Sequence, residues 1–365
     1  MTSTWIDCCF IRGGTSKGIF FSASALPKEW DAAFCSAMGS PDPYERQLNG
    51  MGGGISSLSK VMVVDSTSRQ GFDLEYTFGQ VDVTSATVDY AGNCGNLSAG
   101  VVPFALESGL ITAPDGPAEF RLFNTNTGKA VAVRLNVENG RARTTGDTVL
   151  SGVAGTGDAI ELAYPNPAGS RTAGLLPTGN RVDTIAGIEA TLIDATLPLV
   201  IVRAADVGLA GTESPTEIDA LTQTLTQLED IRRAGAVAMG MCEAPGEAPA
   251  VVPKIALVAP AAESTLLDGT TMSADDVDFM VRVISMGKCH KASPATGAMC
   301  LAAAAAVPGT LVSELVDTAG DVNIGTPSGF VTAAASYADG HLEETSLMRT
   351  ARVLMRGQVA VEIEE

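Results

Sequence analysis

The chain is poor in aromatics (5%), in histidine (2) and in positive charge, with 23 Lys and Arg against 42 Asp and Glu for a net charge of −19. Each shortage excludes something. A chain this acidic repels phosphate backbones and anionic headgroups, so nucleic acid and membrane are not expected partners. Two histidines, His290 and His341, with no His-x-x-x-His and no Cys-x-x-Cys, argue against a zinc site. The seven cysteines are odd in number and scattered, which reads as reduced thiols in the cytoplasm rather than a disulfide framework. No charged n-region with a long apolar core opens the chain, so no signal peptide is expected. The longest apolar run, Ala298 to Pro308, is too short to span a bilayer and reads as a buried helix. What is plentiful is glycine (39 residues) and hydrophobic side chains (45%), in 365 residues. That is a globular composition, long enough for two domains with close backbone packing.

The first half reads as β-rich. Apolar runs Cys8 to Ile11 and Ile19 to Phe21 flank the glycine turn Arg12-Gly13-Gly14-Thr15-Ser16-Lys17-Gly18. Further strands are expected at Val61 to Val64, Phe72 to Phe78, Val81 to Tyr90, Glu119 to Asn124 and Ala130 to Val137. A boundary is placed at Thr178-Gly179-Asn180, after the Pro/Gly-rich stretch Tyr164 to Pro177. Beyond it, strands are expected at Ala190 to Ile193, Leu199 to Arg203 and Lys254 to Ala259. Amphipathic helices are expected over Ile218 to Arg233 and Ser273 to Val283. The loop Ser293-Pro294-Ala295-Thr296-Gly297 then opens onto the apolar helix, which Pro308-Gly309 stops. Domains are thus expected at 1–180 and 181–365, and the last strand is allowed to cross back to the first.

Chemistry concentrates in Ala91-Gly92-Asn93-Cys94-Gly95-Asn96, just before a small-residue helical pattern, Leu97 to Leu106. A thiol at a helix N-terminus sits where unpaired N–H groups and the dipole favour anions. Such a thiol is useful for moving protons. Upstream stands a lone lysine in Ser56-Ser57-Leu58-Ser59-Lys60. Only seven lysines exist, and those at 129 and 254 read as ordinary surface residues near turns. Lys60 can be a base only when neutral, which burial or nearby cations would favour; Arg12 and Lys17 are candidates. Plain structural readings stand beside these: Cys94 as a small buried residue, Lys60 as a snorkelling strand-end lysine, Ser293 and Thr296 as simple caps. The Gly13-Gly14-Thr15-Ser16-Lys17 turn has the wrong spacing for a nucleotide-phosphate loop.

Taken together, these segments resemble the PrpF family of 2-methylaconitate cis-trans isomerases and related allylic isomerases. The matching pieces are Arg-Gly-Gly-Thr-Ser-Lys-Gly (12–18), Met-Gly-Ser-Pro-Asp-Pro (38–43), Gly-Met-Gly-Gly (50–53), Ser-Lys (59–60) and Asn-Cys-Gly-Asn (93–96). Further pieces are Asn-Thr-Asn-Thr-Gly-Lys (124–129), Leu-Pro-Thr-Gly-Asn (176–180), Pro-Lys-Ile-Ala (253–256), the run Gly287 to Cys300, and Pro-Ser-Gly (327–329). The likeness covers nearly the whole chain in order. It implies an α+β fold of the diaminopimelate-epimerase-like type. That fold has two pseudo-equivalent domains, each a curled β-sheet around a central buried helix, with the active site between them. The second cysteine of the epimerases is absent; Ser293-Pro294-Ala295 stands in its place. The resemblance therefore implies Lys60 and Cys94 as the acid/base pair, and no cofactor. Where Asn49 stands, the family pattern carries an aspartate.

The expected reaction is proton abstraction next to an unsaturated carboxylate, through a dienolate, moving the double bond or exchanging cis for trans. Preorganised donors for the substrate's carboxylates are sought in Arg12, Gly14, Thr15 and Ser16, in Asn93, Gly95 and Asn96, and in His290, Ser293, Thr296 and Gly297. The substrate class is an unsaturated di- or tricarboxylate of the aconitate, methylaconitate or oxalomesaconate type. The roles of base and acid stay open between Lys60 and Cys94. A homodimer is compatible with the sequence. The alternatives are a silent accessory protein on the same scaffold, which would not need both groups, and an amino-acid epimerase, against which the missing thiol speaks.

Overall fold

The computed structural model describes residues 2–91, 93–316 and 320–363; Gly92 of the cysteine loop lies outside them. The chain forms two compact units. One comprises the described residues through Ala163 together with those from Met348 onward, and the other is Tyr164–Leu347. This differs from the boundary expected at 180, and the reason is local. The Pro/Gly-rich stretch is tied down by the buried Asp194 carboxylate. It accepts from Ser170 Oγ at 2.5 Å, Arg171 N at 2.7 Å and Thr172 N at 2.9 Å. Leu175 and Leu176 of that stretch pack on the second unit's core.

In the first unit, β1 (Thr2–Gly13) pairs antiparallel with β2 (Ser16–Ser22) on one side and with the final strand, Ala351–Ile363, on the other. β2 runs parallel to β3 (Lys60–Ser66), Ile19 beside Val61, and β3 runs antiparallel to β4 (Leu74–Val81), Lys60 opposite Gln80. Both faces of β2 and β3 are covered, which is why they read as continuous apolar runs rather than alternating ones. Alternation still decides which helix each residue meets. Ile19, Phe21, Val61 and Val63 pack on α1 (Trp30–Met38), where the Phe21 and Phe34 rings stack 5.6 Å apart. Phe20 turns the other way, its ring 5.9 Å from Phe104.

Phe104 belongs to the helix expected from Leu97 to Leu106, which is in fact two, α2 (Gly95–Ser98) and α3 (Val101–Ser108). The break has a covalent cause. Pro103 has no N–H to give Ala99, and its ring would strike that carbonyl in a continuous helix. A Cβ at Gly100 would also lie 2.7 Å from Phe20 Cζ, so the break is a point of close packing.

In the second unit, strands Ile188–Ala195, Leu197–Arg203, Lys254–Pro260, Phe279–Ser285, Asp321–Thr326 and Gly329–Ala338 pair in that order. Leu199, Ile201, Ala256, Val258, Val281 and Val283 pack on α6 (Ala295–Ala306). Val200, Val202, Ile255 and Leu257 share the opposite core with Ile218 of α4 (Pro215–Ala220) and Leu228 and Ile231 of α5 (Thr222–Ala238). The helix expected over Ile218 to Arg233 is interrupted at Leu221, whose ψ of 71° leaves the helical region.

Two expectations fail outright. Ser273 to Val283 is a capped turn, Ala274–Asp276, followed by a strand. The run Phe279-Met280-Val281-Arg282-Val283-Ile284 is buried on both faces, so its apolar spacing mimics a helix. Val81 ends β4, and Asp82 to Tyr90 is mostly turn, because Asp82 Oδ1 accepts from Thr84 N (2.8 Å) and Ser85 N (2.7 Å), leaving Val88–Asp89 as a short strand.

One ion cluster ties α5 to the loop before strand Lys254–Pro260. Buried Arg232 donates Nε and Nη2 to Glu229 at 2.7 and 2.8 Å, and Nη1 to Pro249 O and Pro253 O. Hydrogen bonding from Arg232 holds the Glu229 carboxyl down at about 2, against an ordinary 4.5. The folded-state value is the lower one, so this stability is complete above the unfolded value and is lost as pH falls from about 5 to about 2. Glu229→Gln is expected to cost on the order of 2 kcal/mol at pH 7 after discounting for its partial exposure, in urea melts, with the difference vanishing near pH 2.

Candidate active site

The first-unit motifs meet on one face of its sheet, and glycine is what lets them approach. A Cβ on Gly13 would fall 2.5 Å from Asn96 O, and one on Gly18 would fall 2.5 Å from Lys60 O and 2.9 Å from Leu97 Cδ1. The glycine hairpin, the start of β3 and the cysteine loop are therefore in backbone contact. Asn96 Nδ2 donates to Thr15 Oγ1 at 2.9 Å, and Arg349 Nε donates to Asn96 Oδ1 at 2.9 Å. Gly14 N donates to Thr350 O at 2.9 Å, so the returning chain braces both loops. Cys94 is the N-cap of α2, and its thiol points at Ser16 Oγ, 4.0 Å away. Asn93 Oδ1 lies 3.5 Å from Ser98 Oγ, and Gly95 opens α2. With only four residues in α2, the long-helix dipole expected at Cys94 is not what acts there. The nearest influence is the first-turn N–H groups.

Lys60 lies on the same face. Val61 and Val63 point to α1, so Lys60, Met62 and Val64 point the other way, as do their partners Gln80, Phe78 and Tyr76 on β4. Tyr76 confirms the direction. Its hydroxyl lies 3.1 Å from Ser98 Oγ of α2 and accepts from Asn124 Nδ2 at 3.0 Å. Burial pushes the Tyr76 phenol up to about 12, so it stays neutral. Lys60 Nζ donates to Gln80 Oε1 at 2.6 Å and stands 4.9 Å from the centre of the Phe78 ring. Lys60 and Cys94 are each 8% exposed, buried but not sealed.

Two expected neighbours are not there. Lys17 alternates with Ile19 and Phe21 toward α1, its Nζ 5.7 Å from the Phe10 ring, and Arg12 is its cross-strand partner on that face. Arg12 donates to Gly14 O and Thr350 O, both at 2.9 Å, and so braces the hairpin instead of facing Lys60. Burial, with Arg352 opposite it, lowers the Arg12 pKa. Asn49 lines a surface cavity with Ser40, Asp42 and Arg46.

The remaining residues cluster in the second unit, around the start of α6. The N-cap there is Pro294, so neither Ser293 nor Thr296 caps the helix. Ser293 Oγ bonds Pro294 O at 3.3 Å, and the carbonyl of exposed Thr296 accepts from Thr196 Oγ1 at 2.9 Å. Gly297 is buried in the first turn. His290, whose N–H donates to Val283 O at 2.8 Å, is half-buried; burial and the Lys254 charge lower its pKa, favouring the neutral ring. Lys254 is not an ordinary surface lysine. Its Nζ donates to Ser285 Oγ at 2.7 Å, and burial with Arg232 nearby lowers its pKa. All seven cysteines are free thiols, and among the described residues no group of three or more His, Cys, Asp or Glu side chains is placed to hold a metal. No helix among the described residues is long and apolar enough to cross a membrane. Reading by motif missed Gln80 and Arg349. Gln80 announces itself only as the residue opposite Lys60 once β3 and β4 are paired.

Comparison with known proteins first gives the class. The chain is an isomerase: it is 37% identical to the 3-methylitaconate isomerase of Eubacterium barkeri (98% of this chain, 97% of that one) and 38% identical to the 2-methyl-aconitate isomerase of Cupriavidus necator (98% and 97%). The crystal structure of a methylitaconate-delta-isomerase superposes with a TM-score of 0.91 at 36% identity, covering 99% of this chain and 97% of that one. The chain belongs to the PrpF family, whose model, described as PrpF protein, matches residues 3–362.

Proposed function

We propose that the protein isomerises an unsaturated di- or tricarboxylic acid by moving one proton, with Lys60 and Cys94 as the acid/base pair. One observation carries this reading: the Lys60 amine on one face of the sheet and the Cys94 thiol, 34 residues on in sequence (60 to 94) at the helix start packed against that face, are both nearly buried and lie beside loops rich in donors. The names of the relatives, methylitaconate, methylaconitate and oxalomesaconate isomerases, support the substrate class.

In the proposed step the neutral Lys60 amine takes a proton from the carbon adjacent to the double bond. The C–H electron pair becomes a new C=C bond, the old π pair moves into the bond to the carboxylate or carbonyl carbon, and that group's C=O π pair moves onto oxygen, giving a dienolate. When the electrons return, the far carbon takes a proton from the Cys94 thiol and the double bond has shifted by one position. Lys60 is left as an ammonium and Cys94 as a thiolate, and proton transfer between them resets the pair. In this reading donors at Thr15, Ser16 and Asn96 and the N–H groups of the cysteine loop meet charge on the substrate, where each such donor is worth about 10²–10³ in rate.

The test is incubation of a panel of unsaturated di- and tricarboxylates in D₂O, followed by NMR. Deuterium is expected at carbon in at least one acid as its double bond moves. Cys94→Ala is expected to slow this about 10²-fold without changing the melting temperature by more than a few degrees. No exchange with any acid of the panel would overturn the proposal.

A further inference from the structure

We propose that Gln80 is the positioning residue of Lys60, holding its nitrogen in place by a neutral acceptor that lets the proton leave. The inference rests on the proton-transfer reading above.

The geometry fixes which end of the amide faces the lysine. Gln80 Nε2 donates to Ser59 O at 2.8 Å and to Ser56 O at 3.1 Å, which uses both of its hydrogens. The oxygen must then point away, and it accepts from Lys60 Nζ at 2.6 Å. The anchor is itself anchored. Ser59 Oγ donates to Val81 O at 2.8 Å and accepts from buried Gln47 Nε2 at 2.7 Å, while Gln47 Oε1 accepts from Gly54 N at 2.9 Å. Gly54, directly after the Gly-Met-Gly-Gly piece (50–53), thereby reaches the lysine through two glutamines and a serine. This gives the end of that glycine stretch a physical task.

The type of acceptor is the point. An ammonium and an amine both have N–H to offer a carbonyl oxygen, so an amide holds the nitrogen in either state. A carboxylate in the same place would favour the charged form and take the base away. The other groups on the Lys60 face of the sheet are Ser16 and Gly18 from β2, Phe78 and Tyr76 from β4, and Cys94 at the start of α2, whose thiol points at Ser16; Arg349 reaches this face through Asn96. Of these, Cys94, Tyr76 and Arg349 titrate or carry charge. No acidic side chain forms an ion pair with Lys60 among the described residues.

The experiment uses Q80E and Q80M in the full chain. In Q80E the ascending, low-pH limb of the kcat/KM profile, where the base loses its proton, is expected to move up by about one pH unit, with activity near neutrality down about tenfold and recovered at high pH. In Q80M, kcat is expected to fall about tenfold with KM nearly unchanged, and the pH profile to keep its shape. A second readout needs no substrate: competitive acetylation of Lys60 across a pH series, followed by mass spectrometry. Its midpoint is expected to rise in Q80E. Should Q80E not fold, Q80M alone decides. An unmoved acetylation midpoint in folded Q80E, or a wild-type kcat in Q80M, would overturn the inference. A shifted midpoint in a protein that exchanges no acid would keep Gln80 as the holder of Lys60 and overturn the isomerisation chemistry instead.

Discussion

Lys60→Met is expected to lower kcat by about 10³-fold or more, the largest effect of any single change in this protein. A positioned general base contributes about 10²–10⁴ in rate, and among the described residues no other lysine is placed on that face to replace it. Methionine keeps most of the stem that crosses the Phe78 ring, so packing survives. What is lost is the nitrogen and its bond to Gln80 Oε1 (2.6 Å), which leaves one acceptor short at a cost of about 1–3 kcal/mol in stability. Lys60→Arg sharpens the test. Arginine keeps the charge and the bond but does not deprotonate in a protein, so it should be as inactive as methionine. Initial rates on the acid found by deuterium exchange, with circular dichroism to show folding, measure both. Either variant retaining more than a tenth of wild-type kcat would remove Lys60 from the reaction.

The sequence made some of this legible and hid the rest for physical reasons. Strands of the first unit showed as apolar runs, and the site motifs showed because glycine, asparagine and serine clusters have few structural uses at such density. Patterns were misleading where burial on both faces erased the period. Phe279–Ser285 is covered on both sides, so its spacing fitted a helix. The split between α2 and α3 was written in Pro103, four residues after Ala99, but apolarity on both sides of it read as one element. Face assignment was the harder failure. Arg12 and Lys17 are close to Ser16 in sequence, yet strand alternation sends them to α1 while Ser16 goes to Cys94. Gln80 carries no motif at all. Its role exists only in the register that sets it opposite Lys60.

Gly18→Ala is expected to damage both stability and catalysis, and the reason lies in what surrounds that Cα. The new methyl group would sit 2.5 Å from Lys60 O, 3.1 Å from Lys60 C and 2.9 Å from Leu97 Cδ1. Leu97 can rotate, but the Lys60 carbonyl belongs to a strand clamped between β2 and β4 and cannot. Relief requires spreading β2 from β3. Such overpacking costs about 1–3 kcal/mol, occasionally more. The spreading acts on the residue whose side chain is proposed to move the proton, and a shift of about 1 Å can cost about 10²-fold in rate. Gly174→Ala is the control. Nothing lies within 4 Å of the Cβ it would gain, so urea midpoint and kcat should stay near wild type. If Gly18→Ala matches that control in both measurements, the close approach of β2 to Lys60 is not what holds the lysine toward the cysteine loop, and the site must be assembled by other contacts.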